Sequence, residues 1–256
     1  MTKKYQGYLI DLDGTMYRGK EVIQEAADFV KKLNQLHLPY LFVTNNSSRT
    51  PGQVAEKLSG FGIQTEEKQV FTTSQATANY IYEQKNDASV YVIGEEGILT
   101  AIKEKGLSFG NEKADFVVIG IDHSISYEKF AVACLAIRNG ATFVSTNADI
   151  AIPTERGLLP GNGSLTSVLT VSTQTQPIFI GKPESIIMEQ ALKVLGTKKE
   201  ETLMIGDYYD TDIMAGMNAD MDTLLVHTGV TTKELLLGYE KKPTYVVDSL
   251  DQWEIK

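Results

Sequence analysis

Five short runs of this chain are apolar without interruption: "YLI" at 8–10, "YLFV" at 40–43, "LMI" at 203–205, "TLLV" at 223–226 and "YVV" at 245–247. A strand with one wet face alternates apolar and polar residues. A strand covered on both faces does not, and parallel sheets are where such strands occur. Helical patterns lie between the runs. "VIQEAADFVKKLNQLH" (22–37) spaces Ala26, Phe29, Val30, Leu33 and Leu36 close to the helical period. "SSRTPGQVAEKLSGFG" (47–62) opens on Ser, Thr and Pro and closes on Gly, as helices start and stop. Strand and helix in alternation predict an α/β fold with a doubly wound, Rossmann-like parallel sheet.

The middle of the chain repeats the alternation. "SVYVIG" (89–94) precedes "EEGILTAIKEKG", and "DFVVIGID" (115–122) precedes "SYEKFAVACLAIRNG". "TFVST" (142–146) then leads into a long loop, "SLTSVLTVSTQTQ" and "PIFIG" (177–181). This segment is either more of one large sheet or a separate α/β domain inserted into the first. No Pro/Gly/Ser-rich linker marks a boundary, so composition does not choose.

With 256 residues, 42% hydrophobic and 22% charged, the chain can bury one or two cores. Its net charge of −9 repels nucleic acid and anionic membranes, and argues against both as partners. It also repels a phosphorylated ligand at long range, so a site for one must be locally cationic or metal-assisted. The single cysteine, Cys134, cannot form an internal disulfide, and its apolar helical setting reads as a structural thiol. No run approaches the length of a membrane span, and the N-terminal apolar run is too short for a signal peptide; a cytoplasmic location is expected.

The polar residues fall at strand ends. "YLI" runs into "DLDGT", "YLFV" into "TNNSS", "PIFI" into "GKP" and "LMI" into "GDYYDTD". Each cluster has a bland alternative. Asp11 and Asp13 could cap a helix, Thr44 to Ser48 could be an ordinary N-cap, Lys182 could decorate the surface, and the acidic run could be a solvated turn. Together they are less ordinary, because the C-terminal edges of parallel strands align and ligand sites form there. The residue types also suit one chemistry. Clustered carboxylates need a cation, and hard oxygen ligands suit Mg²⁺. A lysine neutralises phosphate, a hydroxyl with backbone N–H groups holds its oxygens, and a carboxylate can attack phosphorus.

These four motifs, in this order, resemble those of the haloacid dehalogenase-type phosphatases. "DGTMYRG", "VTNNSSRT", "TNADIAIPTERGLLPGNGS" and "GDYYDTDIMAGMNA" resemble the NagD-like and p-nitrophenylphosphatase-like branch, which carries a large α/β cap between the second and third motifs. The resemblance implies a catalytic core of residues 1–85 and 176–256 with a smaller inserted α/β cap at 86–175. It implies Asp11 as nucleophile and Asp13 as general acid/base, the latter also offering its main-chain carbonyl to Mg²⁺. Gly14, Thr44, Asn45, Asn46 and Lys182 would hold the phosphoryl group. Asp207 would bind Mg²⁺ with Asp11 and Asp13, and Asp212 would support the site from outside. Asp210 matches no motif position, and Tyr208 stands where the branch often has a smaller polar residue. The loop at 146–163 would carry Asn147, Asp149 and Arg156 to the substrate, since loops this long rarely lack a function. "MYRG" would be a flap leading toward the cap, and cap contacts would make a homodimer.

The expected activity is hydrolysis of a small phosphorylated metabolite, a sugar phosphate or nucleotide-like monoester, through an aspartyl-phosphate. Two other classes compete. A receiver-like signalling module also uses a strand-end Asp, a Thr and a Lys, but has no acid/base two residues after the phosphoacceptor. A catalytically weak binding protein could keep the fold, but every catalytic position is filled here.

Overall fold

The structure, a computed structural model, describes residues 3–154 and 156–256. The chain divides into two compact units. The first comprises residues up to Thr44, Pro51–Phe71 and Lys182–Lys256; the second comprises Asn45–Thr50 and Thr72–Gly181.

The first unit is built on a six-stranded sheet. Its order is Tyr245–Val247, Asp222–Val226, Thr202–Gly206, Gly7–Ile10, Tyr40–Thr44 and Val70–Thr72. The strand Gly7–Ile10 runs parallel to both neighbours, with Ile10 opposite Ile205 on one side and Phe42 on the other. All five apolar runs are strands here, and Val70–Thr72 adds the sixth. Tyr8, Ile10, Phe42 and Ile205 are buried in the main core with Phe29, Leu33 and Leu58 from the helices. Each such side chain contributes about 2 kcal/mol of apolar burial. The helix Gln24–Gln35 buries Ala26, Phe29, Val30 and Leu33 as the period predicts. Leu36 is the exception. The helix stops one residue earlier, and the turn that follows, with His37 at φ 55°, leaves Leu36 55% exposed.

The second unit has its own parallel sheet, in the order Ile178–Phe179, Thr142–Ser145, Phe116–Ile119, Ser89–Ile93 and Ser108–Phe109. Val117, Ile119, Ala133, Phe143 and Leu169 form its core, with Cys134 only half-buried against it. This unit is wider than the 86–175 expected from the sequence, for two physical reasons. The helix Thr73–Gln84 packs against the helix Glu96–Glu104. The strand Ile178–Phe179 pairs with Thr142–Ser145. The second pairing corrects an expectation: "PIFI" is an edge strand of the second sheet and not part of the first. The 146–163 segment also differs from the expected loop. It folds into an antiparallel hairpin, Ala151–Thr154 against Gly157–Pro160, which satisfies backbone groups that a bare loop would leave to water. Among the described residues no helix is long and apolar enough to cross a membrane.

Candidate active site

In the first unit, Asp11 directly follows the strand Gly7–Ile10. Its backbone N–H donates to Ile205 O at 2.9 Å, extending the ladder by one residue. Asp207 follows the neighbouring strand Thr202–Gly206, and parallel pairing brings both to one sheet edge. Asp212 arrives from the π-helical turn Tyr209–Ile213. All three are buried, at 9%, 1% and 2% exposure, and each offers an oxygen within 4.8 Å of the others.

Lys182 joins them from the segment just before the helix Ser185–Leu195. Its Nζ donates to Asp11, to Asp212 Oδ1 at 2.7 Å and to Val43 O at 3.2 Å. Burial disfavours its charge, but Asp11 and Asp212 outweigh burial and hold the ammonium above its ordinary range. Burial, then Asp212, pushes the Asp11 carboxyl well up, against the pull of Lys182. Burial, then Asp212, raises Asp207 to about 6, opposed by the Val230 N–H, the Thr15 hydroxyl and Lys182. With all four groups ionised, three carboxylates face one ammonium, and the pocket carries excess negative charge. A buried excess of this kind calls for a cation. An all-oxygen donor set fits a hard divalent ion, so this cluster is suited to hold a metal.

Close backbone approach makes room for the carboxylates. Gly14 has φ 89°, and a Cβ there would lie 2.3 Å from Asp207 Oδ2; one on Gly229 would lie 1.9 Å from the same atom. Both positions exclude a side chain. Asp207 is oriented from both sides: Thr15 Oγ1 donates to Oδ1 at 3.1 Å and the Val230 N–H to Oδ2 at 2.7 Å. The Tyr208 N–H donates to Asp212 Oδ2 at 3.0 Å. Asp212, expected outside the site, thus stands among the buried carboxylates.

Asp13 stands apart from this trio. It is exposed, and its backbone bridges to Tyr17. Partial burial raises its carboxyl, while Lys57 and the Gly19 N–H pull it down. The "MYRG" flap is a short hairpin, Tyr17–Arg18 against Glu21–Val22. Thr44 closes its strand, half-buried. Asp210 is exposed and accepts from Tyr239 Oη at 2.9 Å.

The remaining expected residues lie in the second unit. Asn46 Oδ1 accepts from the Arg49 N–H at 2.9 Å and starts a turn. Asn147 is buried; its Nδ2 donates to Asn45 O at 2.9 Å and its Oδ1 accepts from the Asp149 N–H at 3.1 Å. Asn45 Nδ2 makes long contacts of 3.4 and 3.5 Å to the Asp149 carboxylate. Arg156 is exposed in the turn of the hairpin, where its N–H donates to Thr154 Oγ1 at 3.1 Å.

The sequence reading passed over Thr15 and the stretch Thr228–Thr231, although "TLLV" ends at the same sheet edge and "HTGVTT" follows it. Gly229, just beyond the strand end at Val226 and the His227–Thr228 pair that follows it, is the available signal.

Comparisons with known proteins identify the family. Residues 8–108 match the family model for haloacid dehalogenase-like hydrolase, and residues 179–253 match one described as HAD-hydrolase-like. The chain is 72% identical over 251 residues to the 5'-nucleotidase YutF of Bacillus subtilis, covering 98% of each chain. It is 54% identical over 250 residues to the acid sugar phosphatase of Staphylococcus epidermidis, covering 97% of this chain and 96% of that one. The crystal structure of a double mutant of the thermostable NPPase from Geobacillus stearothermophilus superposes with a TM-score of 0.94 at 59% identity, over 100% of both chains. Family models match in both halves of the chain and relatives match along nearly all of it: the chain belongs to the haloacid dehalogenase-like hydrolases and is a phosphatase among them.

Proposed function

We propose that this chain hydrolyses small phosphorylated metabolites, sugar phosphates or nucleotide-like monoesters, with Mg²⁺ and through an aspartyl-phosphate on Asp11. The observation that carries this is the buried trio Asp11, Asp207 and Asp212 with Lys182 among them. Relatives named as a 5'-nucleotidase and an acid sugar phosphatase support the substrate class.

An Asp11 carboxylate oxygen attacks phosphorus, and the phosphorus–oxygen bond to the leaving group breaks. Asp13 gives its proton to the departing oxygen. Asp13 then takes a proton from water, whose oxygen attacks the phosphoryl group and frees inorganic phosphate and Asp11. Thr44 with the Asn45 amide, Gly14 and Asn46 hold phosphoryl oxygens, and Lys182 bridges phosphate and nucleophile. Asp11, Asp207 and the Asp13 carbonyl would hold Mg²⁺, and Asp212 supports them. The bound ion would neutralise charge on nucleophile and phosphate as they meet. The second unit acts as an inserted cap, excluding water during transfer and choosing the leaving group, with Asn147, Asp149 and Arg156 as its substrate contacts.

The test is a phosphatase screen over phosphorylated metabolites and p-nitrophenyl phosphate with Mg²⁺, using Asp11→Asn as the blank. Turnover by the wild type and none by the variant is expected. Retained turnover in Asp11→Asn would overturn the nucleophile.

A further inference from the structure

We propose that Thr228 is a positioning residue for the turn that carries Asp13, acting through Gly14 and Arg18. The inference rests on the proposed role of Asp13.

The turn begins at Leu12, whose carbonyl accepts from the N–H groups of Thr15, Met16 and Tyr17 at 3.3, 2.7 and 3.3 Å. The Gly14 N–H donates to Tyr17 O at 2.7 Å, and Asp13 bridges to Tyr17. Thr228 grips this turn at two points. Its hydroxyl donates to Gly14 O at 2.7 Å, a buried contact. Its carbonyl accepts from Arg18 Nε. Thr228 itself is 9% exposed.

The other end of the same loop holds Asp207, through the Val230 N–H at 2.7 Å and the Thr231 N–H to Asp207 O at 3.1 Å. Thr231 Oγ1 also accepts from the Tyr209 N–H at 2.8 Å. One four-residue loop therefore fastens the acid/base turn on one side and a buried carboxylate on the other. The Thr228 hydroxyl bonds the Gly14–Thr15 peptide, next along the chain from the one that joins Asp13 to Gly14. Removing it strands a buried carbonyl and frees that peptide to rotate, which moves the proton donor. Lys182 and Thr44, which also hold the phosphoryl group, lie on other elements and keep their places.

A positioning role has a signature that general destabilisation lacks. Loss of proton donation hurts poor leaving groups most. Thr228→Val keeps the shape and removes the donor, while Thr228→Ser keeps the donor. Both are assayed with Mg²⁺ on phenyl phosphate and on p-nitrophenyl phosphate, whose leaving group needs little help. For Thr228→Val, kcat on phenyl phosphate falls about ten-fold and on p-nitrophenyl phosphate less than about two-fold, with KM unchanged within about two-fold. Thr228→Ser restores both. Arg18→Ala, at an exposed position, shows the same split, so the test stands even where Thr228→Val does not fold. Equal loss on both esters, no loss, or no rescue by serine overturns the inference alone. A wild type that cleaves neither ester overturns the proposed function and this inference with it.

Discussion

Lys182 and Asp212 form a buried ion pair, with Nζ 2.7 Å from Oδ1 and side chains only 3% and 2% exposed. The same ammonium reaches Asp11, so one cation is shared by two carboxylates drawn from opposite ends of the first unit. Pairing at this depth offsets a large desolvation cost, and removing one partner exposes that cost.

Lys182→Met should therefore destabilise the metal-free protein by about 3–5 kcal/mol, the usual penalty for stranding a buried charge. Urea unfolding in EDTA measures it. Activity should vanish as well, and added Mg²⁺ should raise the variant's Tm more than the wild type's, because the pocket is then more negative. A variant as stable as wild type would contradict the pairing.

The pH dependence of stability follows from Asp207, raised to about 6 mainly by burial and then by Asp212. A carboxyl raised in the folded state binds protons more tightly folded than unfolded. Its contribution is fully present below the unfolded value near 4 and is lost as pH rises through about 6, an effect on the order of 3 kcal/mol. Asp11, also raised, acts in the same direction. In EDTA the unfolding free energy should fall as pH rises from about 4 to 7. Saturating Mg²⁺ should flatten that fall, and so, in part, should Asp207→Asn. A metal-free stability that climbs across this window would refute the assignment.

Gly229→Ala would set a methyl against Asp207 Oδ2, where a Cβ lies 1.9 Å away. The carboxylate must shift, so Mg²⁺ affinity should drop about 10–100-fold, as when the supporting shell of a metal site is disturbed. Calorimetric titration reads this without any turnover. Unchanged affinity would mean that Asp207 is not a ligand.

Asp13→Ala removes an exposed side chain and should leave the Tm within a degree or two of wild type, since surface substitutions cost little. Turnover should fall about 10²–10⁴-fold, more steeply for poor leaving groups. Chelation by EDTA should silence both proteins, and restored Mg²⁺ should revive only the wild type to full rate.

Asp11 and Asp207 were legible because each directly follows an uninterrupted apolar strand, where a carboxylate is costly enough to stand out. Lys182 is only partly legible from the strand that precedes it. Its strand, a short apolar run like the others, belongs to the second sheet, and nothing in a two-residue pairing announces its partner. Thr15, Val230 and Thr228 were missed because their contributions run through a common hydroxyl or a backbone N–H, which carry no residue-type signature. Asp13 was legible as a motif, but its turn toward Gly19 and Lys57 was not, since that depends on a hairpin held by the distant Thr228.

The first unit's central strand pairing has a consequence for how the protein is made. Gly7–Ile10 lies between Tyr40–Thr44 and Thr202–Gly206, and the latter is translated nearly two hundred residues later. A nascent chain thus exposes one edge of its first strand, with Asp11 at its tip, until Thr202–Gly206 has been made. The second unit, complete at Gly181, emerges while the first still lacks Lys182, Asp207 and Asp212. On the ribosome the second unit can close first, before the first unit can gather its buried carboxylates around Lys182.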